Sequence, residues 1–109
     1  MTLFLRDDKD NTIVDLEVWV KKEDGNEFVD ISCSIVISHY SKLLLSIEKH
    51  KQQQFIDTFD EISGLRGWLW EVYFMGGDND PKEYKNVLNE VRQMLSAVAN
   101  RYGLRVVED

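Results

Sequence analysis

The apolar positions of this chain follow two periods, and the change from one to the other organises it. From Thr12 to Lys21 the residues alternate, with Val14, Leu16, Val18 and Val20 on one side and Asp15, Glu17 and Trp19 on the other. A period of two over that length predicts a half-buried strand. Within Lys22–Asn26 lies Asp24-Gly25, two residues that tolerate positive φ and so favour a tight hairpin turn. Alternation resumes from Phe28 to Ser38, where Ile31, Cys33, Ile35 and Ile37 oppose Ser32, Ser34, Val36 and Ser38. After His39-Tyr40-Ser41, Leu43, Leu45 and Ile47 share one side of Lys42–Glu48, which predicts a third strand of a meander. The run Leu43-Leu44-Leu45 is equally compatible with the start of a helix.

From about His50 to Ile62 the spacing widens to Phe55, Ile56, Phe59 and Ile62, the stripe of an amphipathic helix that Ser63-Gly64 would stop. Gly67–Met75 is rich in aromatic and β-branched residues, among them Trp68, Trp70, Val72, Tyr73 and Phe74, and reads as a buried strand ended by Gly76-Gly77. A long helix follows. Asp80 suits its N-cap, Pro81 its first position, and Glu83 can complete a capping box. Tyr84, Val87, Leu88, Val91, Met94, Leu95, Val98 and Tyr102 then form an apolar stripe up to Gly103, a natural residue just past a helix end. Leu104–Val107 is a short closing strand. Strands first and helices later predict an α+β domain spanning residues 1–109: an antiparallel meander sheet with two helices packed on one face. The other sheet face is then the place to look for function.

Composition narrows the field. In 109 residues, 20 acidic side chains face 13 basic ones, a net charge of -7 that opposes binding to nucleic acid phosphates and suits attraction to a basic partner. No apolar stretch approaches the roughly 18 residues that a membrane span needs. Cys33 is the only cysteine, so no disulfide within the chain is expected. Together with an N-terminus that reaches Asp7 and Asp8 too soon for a secretory signal, this points to a reducing cytoplasm.

Candidate chemistry is sparse. Cys33 shares the predicted core side with Ile31, Ile35 and Ile37, where a thiol behaves as a small inert hydrophobe. His39-Tyr40-Ser41 is expected at a solvated hairpin tip, and His50 among Lys49 and Lys51 without an acidic neighbour to orient it. Asp7, Asp8 and Asp10 outline a divalent-ion loop but lack the glycine and distal glutamate that a calcium loop requires. Asp78-Asn79-Asp80 invites a similar reading, but Asp80 is needed as a cap. Gly76-Gly77 has no lysine after it to hold a phosphate, and Asp78 would repel the anion. No catalytic set, no metal site and no cofactor are therefore expected. A small ligand-binding or enzymatic domain using His39, Tyr40 and Glu71 is the alternative, as is an adaptor that dimerises through an edge strand at Leu104–Val107.

One constellation stands out. Asp15, Glu17 and Trp19 face away from the predicted core, and Glu71 and Tyr73 do the same on the 67–75 strand. If the two strands are neighbours, these five residues form an exposed acidic-aromatic patch. Aromatic anchors supply buried area at an interface, and carboxylates supply steering and register. In size, charge and organisation the chain resembles the small cytoplasmic immunity proteins that neutralise bacterial toxins, including those of contact-dependent growth inhibition systems. That resemblance implies a non-catalytic inhibitor, a cognate and basic protein toxin (a nuclease is one kind) as partner, and neither nucleic acid nor membrane as a direct target. A homodimer is compatible with it.

Overall fold

A computed structural model describes residues 1–71 and 84–109. The class is α+β, as expected. Strands β1 (Thr2–Arg6), β2 (Thr12–Glu23) and β3 (Asn26–Ile35) form an antiparallel meander. Helices α1 (Ile37–Ser46), α2 (Gln52–Ser63), α3 (Leu65–Trp70) and α4 (Tyr84–Tyr102) follow, with a short 3-10 turn at Lys49–Lys51. The last strand, β4 (Arg105–Glu108), returns to pair antiparallel with β1, so the sheet runs β3-β2-β1-β4.

Turn chemistry sets the register. Asp24 and Gly25 both have positive φ, 50° and 78°, and the two-residue hairpin they make lets β2 and β3 pair from Glu23↔Asn26 down to Val14↔Ile35. Between β1 and β2 the pairing slips once. Leu5 opposes Val14 and Arg6 opposes Thr12, which leaves Ile13 as the extra residue of a β-bulge. Ile13 and Val14 are consequently both fully buried, against the alternation. The remaining inward residues keep to period two: Leu3, Leu5, Leu16, Val18 and Ile31 are buried in one contiguous core with Phe55, Phe59 and Ile62 of α2 and Val87, Leu88, Val91, Leu95 and Ala99 of α4. Val20 keeps the same parity but lies beyond the core, 42% exposed near the hairpin tip.

Two segments depart from the predicted strands. Lys42–Glu48 lies mostly in helix α1, and the strand before it ends at Ile35 instead of Ser38. Tyr40, Leu43, Leu44 and Ile47 pack against the core at helical spacing, while Leu45 is 78% and Ile37 74% exposed. Leu43, Leu45 and Ile47 thus fit a period of two only by coincidence. Gln52 closes the end of α1 by donating from Nε2 to the carbonyls of Leu44 (3.3 Å) and Ile47 (3.1 Å). The described part of Gly67–Met75 is also helical. Leu65 and Leu69, four residues and one helical turn apart, bury one face of α3 in the core. Helix α2 ends at Ser63 with Gly64 as its cap, where Ser63-Gly64 was expected to stop it, and Gly64, its N–H still on the carbonyls of Asp60 and Glu61, leads directly into α3. The expected remainder of that strand, the Gly76-Gly77 stop, Asp78-Asn79-Asp80 and the Asp80-Pro81-Glu83 cap lie outside the described residues. At its other end α4 closes as expected. Gly103 has φ 66°, and Leu104 N–H bonds the Ala99 carbonyl at 2.9 Å.

Candidate partner-binding face of the sheet

Strand pairing fixes which side chains share the sheet face opposite the core. Directly paired residues point the same way, so the face is read in rows. One row is Val107, Phe4, Asp15 and Ser34; the next is Thr2, Glu17 and Ser32; then come Trp19 with Asp30, and Lys21 with Phe28. Asp15, Glu17 and Trp19 therefore follow one another along β2 at intervals of roughly 7 Å, as their alternation requires. Glu17 is exposed, whereas Asp15 and Trp19 are half-buried. Thr2 Oγ1 donates to Glu17 Oε1 at a long 3.4 Å.

The charges on this face are unevenly matched. Among the described residues, no lysine, arginine or histidine lies within ion-pair distance of Asp15 or Glu17. The face's cations are engaged elsewhere: Arg6 and Arg105 on Asp10, Lys21 on Glu23 at 3.6 Å. Arg6 also stacks over Phe4, 4.7 Å from the ring centroid, and Lys21 lies 5.7 Å from the ring of Phe28. Asp30 is held by Arg66 of α3, with Nε 3.2 Å from Oδ1, and is only 7% exposed. Two unneutralised carboxylates and a half-buried indole are left at the middle of the face.

Of the five expected site residues, the structure brings three together. Glu71 is exposed at the C-terminal end of helix α3 and belongs to no strand of the sheet, so it does not extend the patch as a neighbouring strand would. Tyr73 lies outside the described residues. Phe4 and Val107 join the face without having been singled out; the signal for Phe4 was the short alternation Leu3-Phe4-Leu5 ahead of the first acidic cluster.

The other candidates take scaffold roles. Cys33 packs against the core as expected, and burial, with the negative charge of Asp15 behind it, pushes its thiol up to about 11. His39 is not at a solvated tip. It lies in α1 with Nδ1 2.8 Å from the Thr12 carbonyl oxygen; a carbonyl only accepts, so Nδ1 carries the proton and donates. Tyr40 packs among aromatic rings, 5.3 Å from Phe55 and 5.5 Å from Phe59, and burial raises its phenol further than the charge of Asp60 does. His50 does have an acidic neighbour, since its Nε2 is 3.4 Å from Glu48, but both side chains are solvated. Asp7 serves the β1–β2 turn by accepting the N–H groups of Lys9 (3.0 Å) and Asn11 (2.8 Å), and Asp10 holds its arginines. No three metal-ligating side chains converge among the described residues. A cleft of about 290 Å³ between α2 and α4 is lined mainly by Ile62, Leu65, Met94 and Val98, with Glu61 and Arg101 also lining it. No described helix is long and apolar enough to cross a membrane. Comparison with protein-family models, curated proteins and solved structures returns no match.

Proposed function

We propose that this chain is a non-catalytic inhibitor of the immunity-protein kind, which binds a cognate protein toxin through the open face of its sheet. The observation that carries the reading is the strip Asp15-Glu17-Trp19 on β2, where two carboxylates that no described cation pairs stand beside a large aromatic. Burying an unpaired carboxylate is costly, so such a strip favours a partner that brings lysines or arginines to it. The basic phosphate-binding site of a nuclease has that chemistry. Trp19 and Phe4 supply apolar area at the centre of the contact, and the strip's carboxylates steer the approach. Binding would occur in the cytoplasm, with protein and not nucleic acid as the target. A ligand-binding reading would instead use the cleft between α2 and α4, whose polar lining is Thr58, Glu61 and Arg101.

The experiment is co-expression with the C-terminal region of whatever large protein is encoded immediately upstream. The expected result is that this region arrests growth alone, that this chain restores growth, and that the two co-purify. Glu17→Lys and Trp19→Ala should each abolish rescue while the purified variants remain folded. Rescue that survives both substitutions would move the contact off this face, and a toxic region that neither binds nor is neutralised would remove that protein as the partner.

A further inference from the structure

The two edges of the sheet are treated differently. Val18 N–H bonds the Met1 carbonyl at 3.0 Å and the Met1 amino group returns a bond to the Val18 carbonyl, so Val14, Leu16 and Val18 turn their backbone groups toward β1. Asp15, Glu17 and Trp19 then turn theirs toward β3, and on β3 the outward-facing groups are those of Val29, Ile31 and Cys33. The middle of that edge is closed. Asp30 Oδ1 accepts the Ile31 N–H at 2.9 Å, and Arg66 of α3 braces the same carboxylate. An edge whose central donor is already spent is a poor template for another strand.

Among the described residues the β4 edge has no such guard. Asp109 N–H donates to the Thr2 carbonyl at 3.0 Å, so Arg105, Val107 and Asp109 turn their backbone groups toward β1. Val106 and Glu108 therefore point their N–H and C=O groups outward, and no described residue bonds them. We propose that this edge pairs with the same edge of a second copy of the chain, antiparallel about a twofold axis, to form one continuous sheet across the dimer.

Register follows from parity and charge. Outward-facing residues must oppose outward-facing residues, which leaves three symmetric arrangements. Setting Glu108 against its own copy opposes two acids. Setting Val106 against its own copy brings in Leu104, whose N–H is already given to the Ala99 carbonyl at 2.9 Å. The third places Val106 opposite Glu108 of the second copy and makes both pairs of backbone bonds. It also puts Arg105 opposite Asp109 twice, with Val107 against Val107 on the axis. The edge is self-complementary in charge: Arg105, already beside Asp10 of its own chain, faces Asp109 of the second copy, and Arg92 of α4 forks Glu108, with Nη2 3.1 Å from Oε2. In a chain of net charge -7, the paired charges along this edge let a second copy approach with little repulsion. Because the axis stands perpendicular to the sheet, the two open faces lie on the same side of the dimer. With one short strand from each copy, association is weak and concentration-dependent. It does not depend on the toxin-binding reading.

Val107 supplies the test, because a non-hydrogen-bonded pair on the axis brings Cα atoms to about 4.5 Å, within disulfide range. In a Cys33→Ala background, Val107→Cys should give a reducible covalent dimer under mild oxidation. Arg105→Cys, displaced from its own copy by two residues on each strand, should remain largely monomeric. By analytical ultracentrifugation the unmodified chain should show a mass that rises with concentration. Arg105→Asp should weaken this association at least tenfold, and adding Asp109→Arg should restore it. Equal crosslinking at 105 and 107, a monomer at every concentration, or indifference to the charge reversal would each overturn the proposal; circular dichroism melts of the variants separate loss of pairing from loss of fold.

Discussion

Among the described residues, Tyr102 is the one whose buried polar side chain lacks a hydrogen-bond partner. It closes helix α4 with its ring edge-on to Phe55, centroids 5.0 Å apart at 85°, and 6.3 Å from Phe59. Its hydroxyl is buried and finds no hydrogen-bond partner among the described residues. A buried hydroxyl without a partner costs about 1–3 kcal/mol, whereas the ring alone would keep its aromatic contacts. Tyr102→Phe is therefore expected to raise stability by about 1 kcal/mol, read as a higher urea midpoint at unchanged slope. A lower midpoint would mean that the hydroxyl is bonded in solution. Asp7 shows the opposite case, a polar group fully used. The backbone N–H of Asn11 lowers its carboxyl pKa most; the Asn11 side-chain amide, the Lys9 N–H and the charge of His39 add to this against some desolvation. A carboxylate whose folded pKa is lowered stabilises the fold above the ordinary aspartate value of about 3.9. That contribution is lost as pH falls through the lowered folded value. Asp7→Asn should accordingly be less stable than the unmodified chain at pH 7, with the gap closing as pH falls below about 4 and through the lowered folded value. A gap that stays constant over that range would show that the charge on Asp7 contributes nothing.

At the scale of elements, helix α1 is where two periods compete for the same letters. Leu43, Leu45 and Ile47 satisfy a strand, while Tyr40, Leu43, Leu44 and Ile47 satisfy a helix, and the second set is the one packed against the core. The two readings assign opposite fates to adjacent leucines. Leu45, 78% exposed, should tolerate Leu45→Ser within about 0.5 kcal/mol. Leu44→Ala should cost about 2 kcal/mol. Reversed costs in chemical denaturation would restore the strand. Elements marked by local chemistry were legible in the sequence: the Asp24-Gly25 hairpin, the Phe55-Phe59-Ile62 stripe of α2 and the Gly103 end of α4 all fall where turn preference and periodicity put them. Helix α3 was not, because six residues hold less than two turns and its aromatic content argues for a strand, while Leu65 and Leu69 reveal their shared face only once they are buried together. The candidate site inherits that difference. Asp15, Glu17 and Trp19 rested on the long alternation of β2 and share one face; Glu71 rested on the 67–75 strand and left the patch with it. The bulge at Ile13 was equally hidden, since an extra residue in one strand shows only against its partner.

Over the whole molecule the excess of acid matters through its distribution. Most of the described arginines, and several lysines, are held by carboxylates: Arg6 and Arg105 by Asp10, Arg66 by Asp30, Arg92 by Glu108, Lys22 by Glu27 and Lys51 by Glu48. Exposed pairs of this kind add little stability, but they cancel charge locally and leave the field to the carboxylates that no described cation pairs. Asp15 and Glu17 stand among these on the open face, next to Trp19. The field of exposed carboxylates such as Glu17 acts on the rate of encounter, and salt screens it over about 8 Å at physiological ionic strength. A half-buried indole acts on the rate of departure, because its area is removed from water only in the complex. In the complex with a basic partner, Glu17→Lys should therefore lower the association rate about tenfold at low salt, and its difference from the unmodified chain should shrink toward 0.5 M salt. Trp19→Ala should leave the association rate and its salt dependence unchanged while raising the dissociation rate at least tenfold. Surface plasmon resonance across a salt series separates the two effects. If both substitutions changed only the dissociation rate, with no dependence on salt, the acidic strip would be contact area and not a steering field, and the net charge of -7 would have to be explained by solubility alone.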